Sequence, residues 1–432
     1  MAVLGLGGAA PAPAAPVSSH AMIHACCTPA AMKERIFAES KALGAAYIRV
    51  DIEMNDIFEA PGGEPRQTPS WKGVDEVVEL SRHHDLPVLG ILLAVPAYLS
   101  SCPERWPHSA RCPAADLAEY GRLVGAIAER GRGAIGHWEV VNEPDGEWAF
   151  EGSPEEYAGM LSSARRAIRE HAPESRVVLG GVMRPHDQSW LERVFATPNA
   201  DAAHSFDIAN VHLRGTAGAV IGRFGEFRAL LARHGFSGPL WVTEHGYPAD
   251  PAFQADPTFS AGEPSQAAYL TETLVGLGEA GADQVFVTLR DNLGGEYASE
   301  GLIHIDEAGD FPSRRRLAFG AVRRVVDSWE QLMAWRAEQR LNERLEERHA
   351  TAATLARLAG RIARSRLRDA RALVRESIAA GAGERRLARA RAVFAEARAG
   401  TSWQRAMASA QRARAGLHAL AAADLRRRIA GG

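Results

Sequence analysis

Short apolar runs rich in β-branched residues alternate with amphipathic stretches eight times along the chain. The runs predict buried strands, and the stretches, in which apolar residues recur at helical spacing, predict helices between them. The predicted strands lie near 21–27, 46–52, 87–93, 136–141, 176–182, 206–212, 239–244 and 284–290. The predicted helices lie near 29–43, 70–84, 114–131, 153–171, 188–197, 217–234, 263–281 and 312–328.

This alternation predicts the fold class. Strands that are apolar throughout and separated by helices are typical of a parallel sheet covered on both faces. Eight strand–helix units favour an α/β fold closed into a (β/α)8 TIM barrel. The alternative is an open doubly wound sheet, but the first predicted strand leads into His24-Ala25-Cys26-Cys27-Thr28-Pro29, which lacks the glycines of a dinucleotide-binding turn.

Two predicted helices begin with recognisable caps. Thr28-Pro29 and Ser153-Pro154 each place a hydroxyl before a proline that would stand at the first helical position. Glu156 would complete a capping box with Ser153. We therefore expect both hydroxyls to cap their helices.

The composition changes after Trp329. The segment 329–432 contains no proline and no strand pattern, and its Ala, Arg and Leu runs predict a helical extension with helices near 327–379, 384–398 and 402–428. From Glu330 onward, 22 arginines face 10 acidic residues, whereas the preceding residues carry 28 basic and 43 acidic side chains. A polyanion- or nucleic-acid-binding tail is one interpretation. Because the arginines alternate with alanine, leucine and acids, we favour a solvated helical face, expect no nucleic acid partner, and leave contact with a surface or polyanion open.

The N-terminus and the cysteines bear on the compartment. Residues 1–20 form an Ala/Pro-rich leader without the positive region of a signal peptide, so either a partial export signal or a disordered leader fits. The domain prediction is thus 1–20 leader, 21–328 barrel and 329–432 extension. No run of 18 apolar residues occurs, so we expect no transmembrane segment.

The four cysteines form two pairs. Cys102 and Cys112 bracket a proline-containing loop, and a disulfide there would fit an oxidising compartment. We therefore expect a secreted or cell-surface protein, with a cytoplasmic one as the alternative. Adjacent cysteines rarely bond, so Cys26 and Cys27 are interpreted as buried thiols. No CxxC motif or His/Cys cluster occurs, so structural zinc is not expected.

Two glutamates end predicted strands. Asn142-Glu143-Pro144-Asp145 follows the apolar run 137–141, and Leu240-Trp241-Val242-Thr243 leads to Glu244 in the same way. In a barrel, the C-terminal strand ends face the active site. Taken singly, either acid fits a helix cap or a surface position. Two carboxylates in matching contexts favour the pair, about 5 Å apart, that a retaining glycosidase requires.

The motif around Glu143 resembles that of a known clan. His137-Trp138-Glu139-Val140-Val141-Asn142-Glu143-Pro144-Asp145 is similar to the fourth strand of the retaining (β/α)8-barrel glycoside hydrolases of clan A, nearest to family 39 and then family 5. The resemblance covers roughly residues 20–328. It implies hydrolysis of O-glycosidic bonds in an oligo- or polysaccharide by double displacement, without a cofactor or a metal.

The resemblance also implies roles for individual residues. Glu143 would be the general acid/base and Glu244 the nucleophile, while Asn142 would bond the sugar 2-hydroxyl. Arg49 matches the basic residue that keeps the nucleophile ionised. It would equally serve as a buried partner for Glu139, and both roles can hold together.

The sequence departs from the clan pattern on two strands. His212 matches the histidine of a His-x-Tyr pattern, but Arg214 stands where the tyrosine is expected, so its contact with the nucleophile is lost or comes from Tyr247. Arg290-Asp291 stands near an expected tryptophan, which indicates a polar subsite for an acidic or heavily hydroxylated sugar, or a salt bridge at the rim. Trp148 and Phe150 are the preferred aromatic residues for stacking on sugar. These departures leave a catalytically weak carbohydrate-binding barrel as the alternative function.

Overall fold

The computed structural model describes residues 16–105, 108–185, 187–291, 295, 297–304 and 314–333. Its main sheet consists of β1 (Val17–His24), β2 (Ile48–Glu53), β3 (Val88–Leu93), β4 (Ile135–Val140), β5 (Arg176–Val178), β6 (Ala209–Leu213), β7 (Leu240–His245) and β8 (Gln284–Thr288). These strands are parallel and follow the order β5-β4-β3-β2-β1-β8-β7-β6. Parallel bridges from Val178 to Ile208 and from Val182 to Val211 join the two ends of the sheet. The predicted (β/α)8 barrel is therefore confirmed.

Within the described residues, eight α-helices follow the strands along the chain. They are α1 (Ala30–Leu43), α2 (Pro69–His84), α3 (Leu117–Arg130), α4 (Pro154–His171), α5 (Gln188–Ala196), α6 (Ala217–Arg233), α7 (Glu263–Ala280) and α8 (Leu317–Asp327). Two short antiparallel strands, β9 (Ile303–His304) and β10 (Arg314–Arg315), lie between β8 and α8. None of the helices described is both long and apolar enough to cross a membrane.

The structure differs from the sequence prediction at the first strand and first helix. Strand β1 begins at Val17, four residues before the predicted start and inside the segment assigned to the leader. The start of this strand was not predicted because Ser18 and Ser19 are polar and break the apolar pattern. In the structure both serines are buried, and the Ser19 hydroxyl donates to Ser40 Oγ at 2.8 Å. The prediction that Thr28 caps α1 was wrong, since its hydroxyl oxygen accepts from the His24 backbone N–H instead.

The other predicted cap is present. Ser153 accepts a hydrogen bond from the Glu156 backbone, and the Glu156 side chain bonds the Ser153 backbone N–H in return. This capping box fixes the start of α4, the helix that follows the loop carrying Glu143. The predicted extension falls almost entirely outside the residues described, so its helices remain a prediction.

The barrel interior has an apolar layer and a polar layer. Near the N-terminal strand ends, five buried residues pack together with Tyr47 against them: Leu89, Val178, Ile208, Trp241 and Phe286. Towards the C-terminal ends the interior becomes polar and holds buried Arg49, Glu139 and Asn210. The apolar layer therefore fills the barrel interior beneath the polar layer, which lies nearer the C-terminal strand ends.

A β-bulge in β7 shapes this polar layer. Val242 pairs with Val211 and Glu244 pairs with His212, so Thr243 is an extra residue relative to β6. The register to β8 shifts over the same residues. A bulge re-aims the side chains beside it. As a result the neighbouring side chains of Thr243 and Glu244 both bond groups inside the barrel.

Candidate active site

The loop after β4 presents Glu143 through an unusual backbone. Val141 has φ +65° and Glu143 has φ +44°, both in the left-handed region. A β-branched residue rarely adopts this conformation, and each such residue costs about 1–3 kcal/mol. Strain of this kind clusters at functional sites. The turn leaves Glu143 at the C-terminal mouth of the barrel, facing β7.

The two predicted carboxylates lie together. One oxygen of Glu143, one oxygen of Glu244 and a ring nitrogen of His212 lie within 4.8 Å of one another. The Glu143 side chain is 14 % exposed and that of Glu244 12 % exposed, so both remain accessible from the mouth. His212 Nδ1 lies 2.9 Å from Glu143 Oε1 and 3.7 Å from Glu244 Oε1.

Arg49 connects both strand ends to the barrel interior. Its guanidinium donates to both oxygens of Glu139, at 2.9 and 3.0 Å. It also donates to Glu244 Oε1 at 2.7 Å and to Asn142 Oδ1 at 2.7 Å. Arg49 therefore pairs with a fully buried carboxylate and also bonds Glu244.

Glu244 is in contact with two arginines. Arg214 Nη2 donates to Glu244 Oε2 at 3.2 Å, and Arg214 Nε donates to Glu300 Oε1 at 3.0 Å. Burial by itself would raise the pKa of Glu244, but the positive charges around it, those of Arg49 and Arg214 among them, hold the pKa well below its ordinary value. The tyrosine contact expected from the clan pattern is thus replaced by Arg214, aimed by the buried Glu300.

Glu143 has different partners. His212 Nδ1 bonds one carboxylate oxygen, and Trp148 Nε1 donates to the other at 2.6 Å. Burial raises the pKa of Glu143, while the hydrogen bond from Trp148, and one from His212 when that ring nitrogen carries the proton, lower the pKa below its ordinary value. Trp148 is 48 % exposed at the mouth, with the Arg184 guanidinium 5.5 Å from its ring centre.

A further group at the mouth was missed by the sequence analysis. His24 Nδ1 lies 2.5 Å from Glu53 Oε1 and 3.4 Å from Asp51 Oδ2. Burial raises the pKa of Asp51 to about 7. Asp51 and Glu53 follow Arg49 at a spacing of two, so strand periodicity would have placed all three on one face.

Two groups outside the carboxylate pair have donor atoms close enough for a cation. The donors of His24, Asp51 and Glu53 lie within 4.8 Å of one another, as do those of Glu34, His83 and His84 on α1 and α2. Carboxylate and imidazole donors suit divalent metals, but such clusters also occur without an ion. Proximity alone does not make either group a metal centre.

Tyr247, Arg290 and Asp291, which were also predicted as site residues, contact other parts of the protein and not the two carboxylates. Tyr247 is 2 % exposed and stacks on Tyr269 with ring centroids 3.9 Å apart, so it does not supply the missing tyrosine contact. Arg290 donates to the backbone carbonyls of Ala21 and Met22 at 2.9 Å each. Asp291 is buried and accepts from both terminal nitrogens of Arg316. These contacts tie the end of β8 to β1 and α8.

Aromatic residues also divide between packing and the mouth. Phe150 is 3 % exposed and packs edge-on against Tyr157, so it is a core residue. Tyr297 is 41 % exposed, and the Arg214 guanidinium lies 4.8 Å from its ring centre. Trp148 and Tyr297 therefore flank the carboxylate pair through direct contacts with Glu143 and Arg214.

All four cysteines take part in disulfides. Cys102 bonds Cys112 across the loop after β3, and Cys26 bonds its neighbour Cys27 in the loop after β1. The interpretation of Cys26 and Cys27 as buried thiols was wrong. Cys27 is exposed and Cys26 half-buried, because the chain leaves the barrel wall at His24.

Comparisons with known proteins bear on the fold. No family model matches the chain, and no curated protein sequence matches it. A glucosidase structure from Croceicoccus marinus superposes with a TM-score of 0.54 at 17 % identity, over 72 % of this chain and 67 % of the other. A monomeric β-xylosidase from Caulobacter crescentus gives 0.54 at 16 % identity, over 72 % and 69 %.

A third structure gives the same picture. The GH39 enzyme from Xanthomonas axonopodis pv. citri superposes with a TM-score of 0.54 at 16 % identity, over 71 % of this chain and 65 % of the other. At such identities the likeness concerns the fold and not the activity. This chain therefore has the (β/α)8-barrel fold found in these glycoside hydrolases.

Proposed function

We propose that this protein is a retaining glycoside hydrolase that cleaves O-glycosidic bonds of a β-linked oligo- or polysaccharide. The observation that carries the proposal is that one carboxylate oxygen of Glu143 lies within 4.8 Å of one carboxylate oxygen of Glu244. Retaining enzymes hold their two carboxyl groups about 5–5.5 Å apart, whereas inverting enzymes need about 6.5–9.5 Å to admit a water molecule. The barrel shared with known glycosidases supports the same reaction class.

The surroundings of the two carboxylates support a division of roles. Glu244, held ionised by Arg49 and Arg214, is the nucleophile that attacks the anomeric carbon. Glu143 gives its proton to the leaving oxygen, and a glycosyl ester forms on Glu244. Glu143 then removes a proton from water, which attacks the anomeric carbon and releases Glu244 as a carboxylate.

Asn142 is positioned to bind the sugar next to the attacked bond. Arg49 donates a hydrogen bond to the side-chain oxygen of Asn142. This bond fixes the orientation of the amide and leaves the Asn142 NH2 group to donate to a ligand. An NH2 donor beside the acid/base suits the sugar 2-hydroxyl, whose hydrogen bond strengthens in the transition state. Arg49 thus orients a substrate-binding amide as well as the nucleophile.

The mouth favours a neutral, hydroxyl-rich sugar. Asp51 offers a carboxylate acceptor for hydroxyl groups, and the exposed Trp148 offers an apolar ring. Since Arg290 and Asp291 bond other parts of the protein, they give no support to an acidic sugar. The two disulfides are consistent with an exported or cell-surface protein.

The test starts with hydrolysis of aryl β-glycosides and β-linked polysaccharides by the full-length chain. NMR of the first-formed product should show retained configuration. Glu244→Ala should abolish turnover and recover it with azide, giving a product of inverted configuration. Glu143→Ala should impair substrates with poor leaving groups far more than activated aryl glycosides.

A control variant tests whether the loss of any glutamate side chain, and not only one in the site, reduces turnover. Glu174→Ala removes an exposed carboxylate paired with Arg132 on the surface and should leave turnover unchanged. An inverted first product would disprove the retaining mechanism. Sugar binding by the wild-type protein without hydrolysis would favour the alternative, a carbohydrate-binding barrel with little or no turnover.

A further inference from the structure

Three buried side chains behind Glu143 form a chain of hydrogen bonds that the proposed reaction does not use directly. Asn210 Oδ1 lies 2.9 Å from Thr243 Oγ1, and Thr243 Oγ1 lies 3.1 Å from His212 Nε2. The other ring nitrogen of His212 bonds Glu143. Asn210, Thr243 and His212 are 0 %, 0 % and 3 % exposed, so all three are shielded from bulk solvent.

The orientation of the Asn210 amide is determined by the backbone. The Thr243 backbone N–H, which can only donate, points to Asn210 Oδ1 at 3.1 Å. Rotating the amide would bring two donors together, so this position must hold the oxygen. Asn210 therefore presents an acceptor, and only an acceptor, to the Thr243 hydroxyl.

This acceptor decides where the hydroxyl proton goes. Thr243 has one hydroxyl hydrogen, and Asn210 Oδ1 can bond it only as an acceptor. With that hydrogen donated to Asn210, the Thr243 oxygen has only lone pairs left for His212 Nε2. The contact between Thr243 and His212 is then a hydrogen bond only if Nε2 carries a proton.

We propose that Asn210 and Thr243 act as positioning residues that hold neutral His212 with its proton on Nε2, so that Nδ1 accepts a hydrogen bond from the protonated carboxyl of Glu143. This inference rests on the proposed function for its consequence, which is an acid/base kept in its protonated, proton-donating form. The opposite tautomer would donate from Nδ1 to Glu143 and stabilise the carboxylate, which cannot protonate a leaving group.

The charged groups around the His212 ring are compatible with this tautomer. Glu139 Oε1 lies 3.9 Å from Nε2, and its charge favours a proton on that nitrogen. Glu244 Oε1 lies 3.7 Å from Nδ1 but already accepts from Arg49 at 2.7 Å. Other charged or titratable groups that face this network are Arg49, His20, Arg214, Asp145 and Glu300.

The ring also has little freedom to turn. A Cβ placed on Gly181 would lie 2.0 Å from His212 Nε2, so the glycine admits the ring edge at this depth. The β7 bulge brings Thr243 opposite that edge. Local packing and the bulge therefore keep Nε2 directed at Thr243 and Nδ1 at Glu143.

The first measurement reads the tautomer without turnover. The full chain, labelled with ¹⁵N in its histidine rings, should show His212 above its titration range with a protonated Nε2 and a bare Nδ1. Loss of the signal in His212→Gln provides the assignment. A neutral His212 with its proton on Nδ1 would overturn the inference, even if the protein hydrolyses glycosides.

The second measurement uses matched variants at Thr243. Thr243→Val keeps the shape but removes the hydroxyl, and should slow substrates with poor leaving groups about tenfold, a fraction of a full general-acid contribution. It should also move the alkaline limb of the kcat/KM profile to lower pH, whereas activated aryl glycosides change little. Thr243→Ser, which restores the hydroxyl, should recover both properties.

The outcomes separate this inference from the proposed function. Equal slowing of good and poor leaving groups in Thr243→Val would indicate a structural role and overturn the inference. A wild-type pH profile and tautomer in that variant would do the same. No hydrolysis by the wild-type protein would refute the proposed function, while the ring labelling would still test the tautomer.

Discussion

The Arg214 guanidinium lies 3.2 Å from Glu244 Oε2, at the place where the sequence resemblance had led us to expect a tyrosine. A tyrosine offers a neutral hydroxyl, whereas Arg214 adds a permanent positive charge beside the proposed nucleophile. Glu300, 2 % exposed, holds the guanidinium in place from below. Together with Arg49, Arg214 thus brings two guanidinium groups into contact with the Glu244 carboxylate.

Replacing Arg214 should shift the acid limb of activity. Arg214→Met removes one of the charges that lower the pKa of Glu244, so that pKa should rise. The nucleophile must be ionised, and the acid limb of kcat/KM should therefore move to higher pH, by about 1 unit or more for a cation this close. Arg214→Lys should shift it less. Arg228→Met, an exposed site on α6, is the control, and an acid limb unchanged by Arg214→Met would refute the electrostatic role.

Arg49 should be essential for stability. Arg49→Met would leave Glu139, which is fully buried, without its cation. Breaking a buried ion pair from one side costs about 3–5 kcal/mol. Chemical denaturation should show that loss in the free energy of unfolding, with partial recovery in the double variant Arg49→Met/Glu139→Gln. Equal stability of the single and double variants would contradict this account.

Trp148 should influence both ionisation and binding. The Trp148 N–H donates to Glu143 and lowers the pKa of that carboxyl. Because Trp148→Phe removes this donor, the pKa of Glu143 should rise and the alkaline limb of kcat/KM should move to higher pH. Trp148→Ala should shift the limb similarly and also raise KM, because the ring surface is lost. Profiles should be repeated with Asp51→Asn, since Asp51 has a pKa of about 7. A lower alkaline limb in Trp148→Phe would contradict the assignment.

The two disulfides should contribute unequally to stability. Closing the loop between Cys102 and Cys112, ten residues apart, should stabilise by about 2–3 kcal/mol in the chain-entropy model. Adjacent Cys26 and Cys27 close almost no loop and should contribute much less through this effect. Double serine variants of each pair, compared by denaturation, test the difference. Free thiols at Cys102 and Cys112 by mass spectrometry of the unreduced protein would refute the first bond.

The Arg-rich extension should be dispensable for chemistry. Helix α8 ends at Asp327, and a boundary between compact units falls between Glu330 and Gln331. A chain ending near Leu341 should hydrolyse a small substrate within a few fold of the full-length rate. A folded but inactive truncation would show that the extension contributes to the site. Salt-dependent binding of the isolated extension to a polyanion would instead assign it a partner.

The sequence alone indicated the barrel and its principal residues. Alternating strand and helix patterns repeat eight times, and strands of a barrel end at one mouth, so Glu143 and Glu244 were brought together by topology. Arg49 was found through the resemblance, which implies a basic residue on the second strand, while strand periodicity placed Glu139 on the inner face as its buried partner. Periodicity and the rule for strand ends thus gave the barrel and the two strand-end glutamates, and the resemblance added Arg49.

The remaining features depend on register and on contacts between distant residues. Simple alternation along β7 would put Thr243 and Glu244 on opposite faces, and only the bulge against β6 turns both inward. The Arg214 side chain reaches Glu244 because Glu300, 86 residues away in sequence, holds its guanidinium in place. Tyr247 stacks on Tyr269, and this packing holds its side chain away from Glu244. Local sequence does not encode such choices, because each depends on which side chains the closed barrel brings within a few ångströms.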